Sequence, residues 1–281
     1  MRGIYKHMLF ENINLFPNDK DTYLRSYICQ KIYDGRKKAV LVIPGGGYSC
    51  VCDAHEGDTV ARTFLAEGYN VFVLKYSVGA DAKDSKPLIQ AAAAMKYIRD
   101  HAPKYNVDPD YIFVCGFSAG GHLSGWLGTS WGSETVKNAL RIDDASVCRP
   151  TGMILSYPVI TAGKFTHKGS IDNLCGDSDA PQEVRDRFAL EKLVDKDTSP
   201  AFIWANYPDT CVPIENSLAM ADALRKNGVP FDFHIFSDGW HGMSVATPEV
   251  DDGDHADLFR RVHTWIPLCL AWLETVKPFR K

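Results

Sequence analysis

Long apolar runs are missing from this sequence. The longest, such as Ala39 to Pro44 and Val71 to Leu74, have the length of a strand and fall far short of the roughly 18 residues that a membrane helix needs. A block of like charges is missing too, and 35 acidic against 31 basic side chains leave a net charge of −4. Nucleic acid and anionic membrane surfaces are therefore not expected partners. Of the eight cysteines, only Cys50-Val51-Cys52 are close together, and their spacing has one residue where redox and zinc motifs have two. Repeats, low-complexity segments and Ser, Gly or Pro-rich linkers are absent, so nothing divides the 281 residues, and 1–281 reads as one domain. The segment Met1 to His7 carries positive charge, but Glu11, Asn12 and Asn14 interrupt the apolar stretch of an export signal. The expected location is cytoplasmic, with reduced thiols. A chain of this length buries roughly 75% of its unfolded surface and needs no disulfide or metal to hold a core.

What is present is an alternation of short apolar strands and amphipathic helices, the pattern of a mostly parallel sheet covered on both faces. Strands are expected over 23–33, 38–43, 70–75, 111–115, 151–157, 201–205 and 231–236, and helices over 57–67, 87–101 and 254–277. Tyr111 to Cys115 is a continuous apolar run, as expected of a central strand buried on both sides. The segment 161–198 fits the rhythm least. It reads as an excursion over the sheet edge with a helix near 181–193, contributing to a substrate pocket.

The strand at 111–115 runs into Gly116-Phe117-Ser118-Ala119-Gly120, a G-x-S-x-G pattern followed by helical sequence. That context is the one in which a tight strand-to-helix turn leaves a serine hydroxyl exposed at the top of a sheet. A serine becomes a nucleophile only when a histidine takes its proton and a carboxylate holds that histidine in the right tautomer. Asp209 follows the strand at 201–205 and precedes a helix; His241, in Gly239-Trp240-His241-Gly242, follows the last strand. The order Ser, Asp, His is the one such a fold requires. Asp177, Asp179 and Asp238 are the weaker carboxylates, and His122, in the helix after the serine, reads as a buried packing residue.

Acyl transfer also needs donors for a developing oxyanion. The loop Gly45-Gly46-Gly47-Tyr48 ends an early strand and exposes amides without side-chain hindrance, and Ala119 follows the serine, so Gly46, Gly47 and Ala119 are the expected oxyanion donors. No Lys-Ser/Thr follows the loop as in a phosphate-binding loop, and no G-x-G-x-x-G opens a helix. His55-Glu56 lacks the second histidine of a zinc protease helix. No metal or cofactor is expected.

Together, Val42-Ile43-Pro44-Gly45-Gly46-Gly47-Tyr48, Glu56-Gly57 with Val60-Ala61, Gly68 to Leu74, Gly116 to Leu123, Val212 to Ser217 and Gly239 to Gly242 resemble the α/β-hydrolase esterases, in particular acetyl xylan esterases and bifunctional feruloyl and acetyl xylan esterases. The resemblance covers nearly the whole chain. It implies an α/β-hydrolase fold and a metal-free serine esterase acting on small acyl groups of plant polysaccharide fragments, with Ser118, Asp209 and His241 as triad. The chain departs from the pattern at Pro208, where related sequences often carry a second acid, and at Trp240, where they often have a small residue. Trp240 is expected to stack on a sugar or narrow the acyl pocket, or equally to pack beside the active site, and Tyr48 to touch substrate. The expected partner is a small-molecule or oligosaccharide ester, and a homo-oligomer is compatible with the sequence. The alternatives are a serine peptidase of the prolyl oligopeptidase type and a non-catalytic binding protein on the same fold.

Overall fold

Segments rich in Val, Ile and Phe, with apolar residues facing both ways, make the centre of an eight-stranded sheet in the computed structural model, which describes residues 9–19, 21–29, 35–251, 253 and 255–278. The strands are β1 (Leu9–Ile13), β2 (Tyr23–Ile28), β3 (Lys37–Ile43), β4 (Asn70–Lys75), β5 (Val107–Phe117), β6 (Met153–Ser156), β7 (Ala201–Asn206) and β8 (Phe231–Phe236). Their order is β1-β2-β4-β3-β5-β6-β7-β8; β2 is antiparallel to both its neighbours, and every pair from β4 to β8 is parallel. This is the mostly parallel sheet of the α/β-hydrolase fold.

The helices are α1 (Thr59–Ala66), α2 (Lys86–Asp100), α3 (Ala102–Tyr105), α4 (Ala119–Ser130), α5 (Glu134–Leu140), α6 (Lys168–Cys175), α7 (Gln182–Arg185), α8 (Glu215–Lys226), α9 (Ala256–Val262) and α10 (Trp265–Thr275). Side chains alternate across each strand. Leu41, Ile43, Val114 and Leu155 therefore pack under α2, α4 and α8, while Val40, Val42, Cys115 and Ile154 pack under α1, α9 and α10. Both faces are covered, which is why the central strands carry no polar alternation. Among the described residues no helix is long and apolar enough to cross a membrane.

Several boundaries differ from the sequence pattern, each for an identifiable reason. The strand expected over 23–33 ends at Ile28, and residues 30–34 lie outside the described residues, as do 1–8 and Asp254. The helix expected over 57–67 begins as a wide π-type turn, Asp53–Asp58, which turns Glu56 into the interior. The helix expected near 181–193 breaks after α7 into two 3₁₀ turns, because the Leu190 amide bonds to the Ile160 carbonyl and the Phe188 carbonyl accepts from His122. The closing helix divides into α9 and α10, with Pro267 in the first turn of α10, where the missing amide proton of proline is tolerated. The short β1, α5 and α6 carry too few periodic apolar residues to stand out in the sequence.

Candidate active site

The apolar end of β5 forces the chain to turn at Ser118 before α4 can pack back on the sheet. Ser118 takes up that turn with φ +52° and ψ −119°, a conformation that a side-chain-bearing residue adopts only when its surroundings hold it. They do so here: its amide donates to Ser156 O at 3.0 Å, and its carbonyl accepts from Val159 N at 3.1 Å and His122 N at 3.0 Å. Gly120 is required by close approach, since a Cβ there would lie 2.0 Å from the carbonyl oxygen of Ile43. The first turn of α4 thus passes directly over the end of β3.

His241 and Asp209 come to this serine from the ends of β8 and β7. His241 Nε2 is 2.8 Å from Ser118 Oγ, and His241 Nδ1 is 2.7 Å from Asp209 Oδ2. The other oxygen of Asp209 accepts from the amides of Cys211 at 2.9 Å and Val212 at 3.0 Å. A carboxylate oxygen can only accept from the ring, so Nδ1 carries the proton and Nε2 is left to accept from Ser118 Oγ. The Asp209 side chain is 1% exposed and that of His241 20%, so the acid is sealed and the base meets solvent. Asp177, Asp179 and Asp238, the rival carboxylates, make no contact with His241; Asp238 pairs with Arg261.

The glycine loop lies beside the same serine. Among the described residues, the amides of Gly46, Gly47 and Ala119 donate to no protein group. Gly46, at φ +121°, could not carry a Cβ, which would fall 2.3 Å from the carbonyl oxygen of Cys50. Gly45 N is held at 2.8 Å by Glu56 Oε2, and Gly47 O at 2.9 Å by Asn173 Nδ2 of α6. The loop is fixed from both sides while its central amides stay open.

Tyr48 sits elsewhere than expected. Its side chain is completely buried, and its hydroxyl donates to His122 Nδ1 at 2.8 Å, while His122 Nε2 donates to Phe188 O at 2.8 Å. Its place is behind the loop, as a support, and its side chain presents nothing to solvent; the ring packs edge-on against Tyr76 and His122. Burial lowers the His122 pKa to about 4, so the ring is neutral and both nitrogens are satisfied. Trp240 is 37% exposed and packs its ring edge-on against His255 and Phe259 at 4.9 and 5.5 Å. Cys52 and Cys211, two thiols near the site, are not activated. Burial, then Glu56, push the Cys52 thiol up to about 11, and burial and Asp209 push Cys211 upward.

Three residues of the site escaped sequence reasoning. Glu56 is 3% exposed and binds Gly45 N through one oxygen and the Tyr157 hydroxyl, at 2.7 Å, through the other. Tyr157 also receives the Ser244 amide at 3.0 Å and sets its ring edge-on to His241, 4.9 Å between centroids. Burial and Glu56 hold its hydroxyl well above the usual tyrosine pKa, so it stays a donor. Asn206, the last residue of β7, donates to the carbonyl of Trp240 at 2.8 Å and fixes the histidine loop. The one signal available was the place of Glu56 itself, an acid shortly past a glycine loop and ahead of a helical pattern.

Compared with known proteins, residues 27–224 match the BD-FAE family. The chain belongs to that family. With that, the α/β-hydrolase esterase resemblance read from the sequence stands. This BD-FAE chain is 40% identical over 223 residues to endo-1,4-beta-xylanase B of Butyrivibrio fibrisolvens, covering 78% of the chain and 34% of that protein. It is 28% identical over 214 residues to an acetylxylan esterase of Xylanibacter ruminicola, covering 75% of the chain and 42% of that protein. The chain therefore spans less than half the length of either. Among solved structures, an acetyl ester-xyloside bifunctional hydrolase from Caldicellulosiruptor lactoaceticus superposes with a TM-score of 0.81 at 34% identity, covering 98% of each chain. An α/β hydrolase enzyme from a Medee basin deep-sea metagenome library gives 0.76 at 29% identity, covering 97% of this BD-FAE chain and 99% of that one.

Proposed function

We propose that this protein is a serine carboxylesterase that removes acetyl or other small acyl groups from carbohydrate esters, acetylated xylo-oligosaccharides among them. The observation that carries the reading is the unbroken relay Ser118 Oγ, His241 Nε2, His241 Nδ1, Asp209 Oδ2, with both links under 3 Å, beside three amides without protein acceptors among the described residues. His241 Nε2 takes the Ser118 proton as Oγ attacks the ester carbonyl carbon. The amides of Gly46, Gly47 and Ala119 stabilise the oxyanion that forms, an effect worth about 10²–10³ in rate per donor. Collapse of the intermediate expels the sugar oxygen, which receives the proton from His241. Water, deprotonated by the same nitrogen, then attacks the acyl-serine and releases the carboxylic acid. Asp209 holds the imidazole in its reactive tautomer throughout.

The carbohydrate part of the reading is supported by the names of the relatives, a xylanase, an acetylxylan esterase and an acetyl ester-xyloside hydrolase. Trp240 supports it too, because an aromatic side chain more than a third exposed and adjacent in sequence to His241 offers a face to a sugar ring. The test is hydrolysis of p-nitrophenyl acetate and acetylated xylo-oligosaccharides by the wild type and by Ser118→Ala, with no metal added. Activity on both esters in the wild type and a loss of at least a thousandfold in the variant is the expected result. Equal rates in the two proteins, or cleavage of peptide anilides in preference to esters, would overturn it.

A further inference from the structure

The excursion over 161–198 brings a second histidine to the glycine loop, and the relay above does not use it. His167 is the N-cap of α6: its Nδ1 accepts from the Ser170 amide at 3.3 Å and lies 2.8 Å from Ser170 Oγ. An amide can only donate, so Nδ1 is unprotonated and the single ring proton of neutral His167 sits on Nε2. Among the described residues Nε2 has no protein partner, and it is not among the buried unpartnered atoms, so this N–H opens to solvent. Burial, then His241, lower the His167 pKa, which favours the neutral ring.

Its location is set by two contacts. A Cβ built on Gly47 would lie 3.6 Å from His167 Cε1, so the ring is in van der Waals reach of the loop whose amides stay open. From further along α6, Asn173 grips the carbonyl of that same glycine at 2.9 Å. The nearby cation Lys168 is committed to Asp172 Oδ2 at 2.6 Å and Ser178 O at 3.0 Å. This side of the glycine loop thus offers one N–H donor and no free cation from α6, which suits a neutral oxygen and not a carboxylate or phosphate.

We propose that His167 Nε2–H is a specificity-determining donor that binds a free hydroxyl of the carbohydrate carrying the scissile ester. This rests on the esterase reading above. A hydroxyl next to the ester is what distinguishes a sugar acetate from p-nitrophenyl acetate, so the two esters separate the roles. His167→Asn keeps an N-cap oxygen for the Ser170 amide, and thus α6, while removing the long reach of Nε2. His167→Ala removes both.

The experiment measures kcat and KM for wild type, His167→Asn and His167→Ala on p-nitrophenyl acetate and on an acetylated xylo-oligosaccharide, with thermal melting of each. In His167→Asn, kcat/KM is expected to fall at least tenfold more on the oligosaccharide than on p-nitrophenyl acetate, mainly through KM, with melting close to wild type. A parallel fall on both esters, or none on either, overturns the proposal and leaves the esterase reading intact. A wild type that hydrolyses p-nitrophenyl acetate but not the oligosaccharide overturns the proposal as well. A wild type inactive on both esters overturns the esterase reading itself.

Discussion

The Glu56 carboxylate accepts the Tyr157 hydroxyl at 2.7 Å, and through this contact a buried acid joins the glycine loop to the histidine loop. Its second oxygen holds Gly45 N at 2.8 Å, and Tyr157 in turn receives Ser244 N at 3.0 Å. The carboxylate suits the place because both its oxygens face donors. In Glu56→Gln the amide group must turn its NH₂ toward either Gly45 N–H or the Tyr157 hydroxyl, and one buried donor loses its acceptor. The expected cost is about 1–3 kcal/mol of stability, read by urea unfolding. A fall in kcat with little change in KM is expected beside it, since the displaced groups lie in the loops around Ser118 and not on the open face. Wild-type kcat in a destabilised variant would reduce Glu56 to a packing role.

Asp209→Asn keeps the shape of the acid and changes only which ring nitrogen of His241 is protonated. The amide group of the substituted side chain keeps its Oδ1 toward the backbone amides of Cys211 and Val212, which aims its NH₂ at His241 Nδ1. Nδ1 then accepts, the proton moves to Nε2, and Ser118 Oγ faces a donor in place of a base. A loss on the order of 10⁴ in kcat is expected, with KM and melting temperature near wild type. A loss of less than tenfold would show that the carboxylate does not set the tautomer.

The sheet and the relay were legible in the sequence because their signals are local. The run Tyr111 to Cys115 announces a buried strand, and the pattern around Ser118 announces the turn that follows it. Asp209 and His241 were found because each sits a few residues after a strand end, on the side where such loops collect. The second layer was not legible, because it depends on what the fold brings together. Glu56 and Tyr157 are 101 positions apart, Gly47 and Asn173 are 126 apart, and no spacing rule connects them. Tyr48 shows the converse: a residue adjacent in sequence to the three glycines points into the core, because His122 offers its hydroxyl a buried acceptor. The closing helix was read as one element since Pro267 is compatible with a helix start as well as a helix end.

Gly46 tests directly the oxyanion role proposed for the glycine loop. Its φ of +121° and the Cys50 carbonyl oxygen 2.3 Å from a would-be Cβ leave no room for alanine without moving the backbone. Any movement takes the Gly46 and Gly47 amides away from Ser118 while the relay to His241 and Asp209 is untouched. Gly46→Ala is expected to lower kcat by about 10²–10³, the magnitude of losing one donor, with the pH dependence of the residual activity unchanged. Near wild-type kcat would remove this loop from the reaction.

Stability at acid pH should report on the buried pair Tyr48 and His122. The His122 pKa is lowered to about 4 by burial, whereas an unfolded chain restores it to about 6.5. Between those values the unfolded chain binds a proton that the folded protein does not, so unfolding is favoured progressively as the pH falls from about 6.5 to about 4, by on the order of 3 kcal/mol in total. Above pH 6.5 both states are neutral at this ring, and its contribution is constant. His122→Gln removes the titration while leaving an amide to donate to Phe188 O, so the comparison is between slopes and not between absolute stabilities. Urea unfolding at several pH values between 7.5 and 4.5 should give a wild-type curve that falls more steeply than the variant's; parallel curves would show that His122 takes up its proton inside the folded protein, and that the bond to Tyr48 survives it.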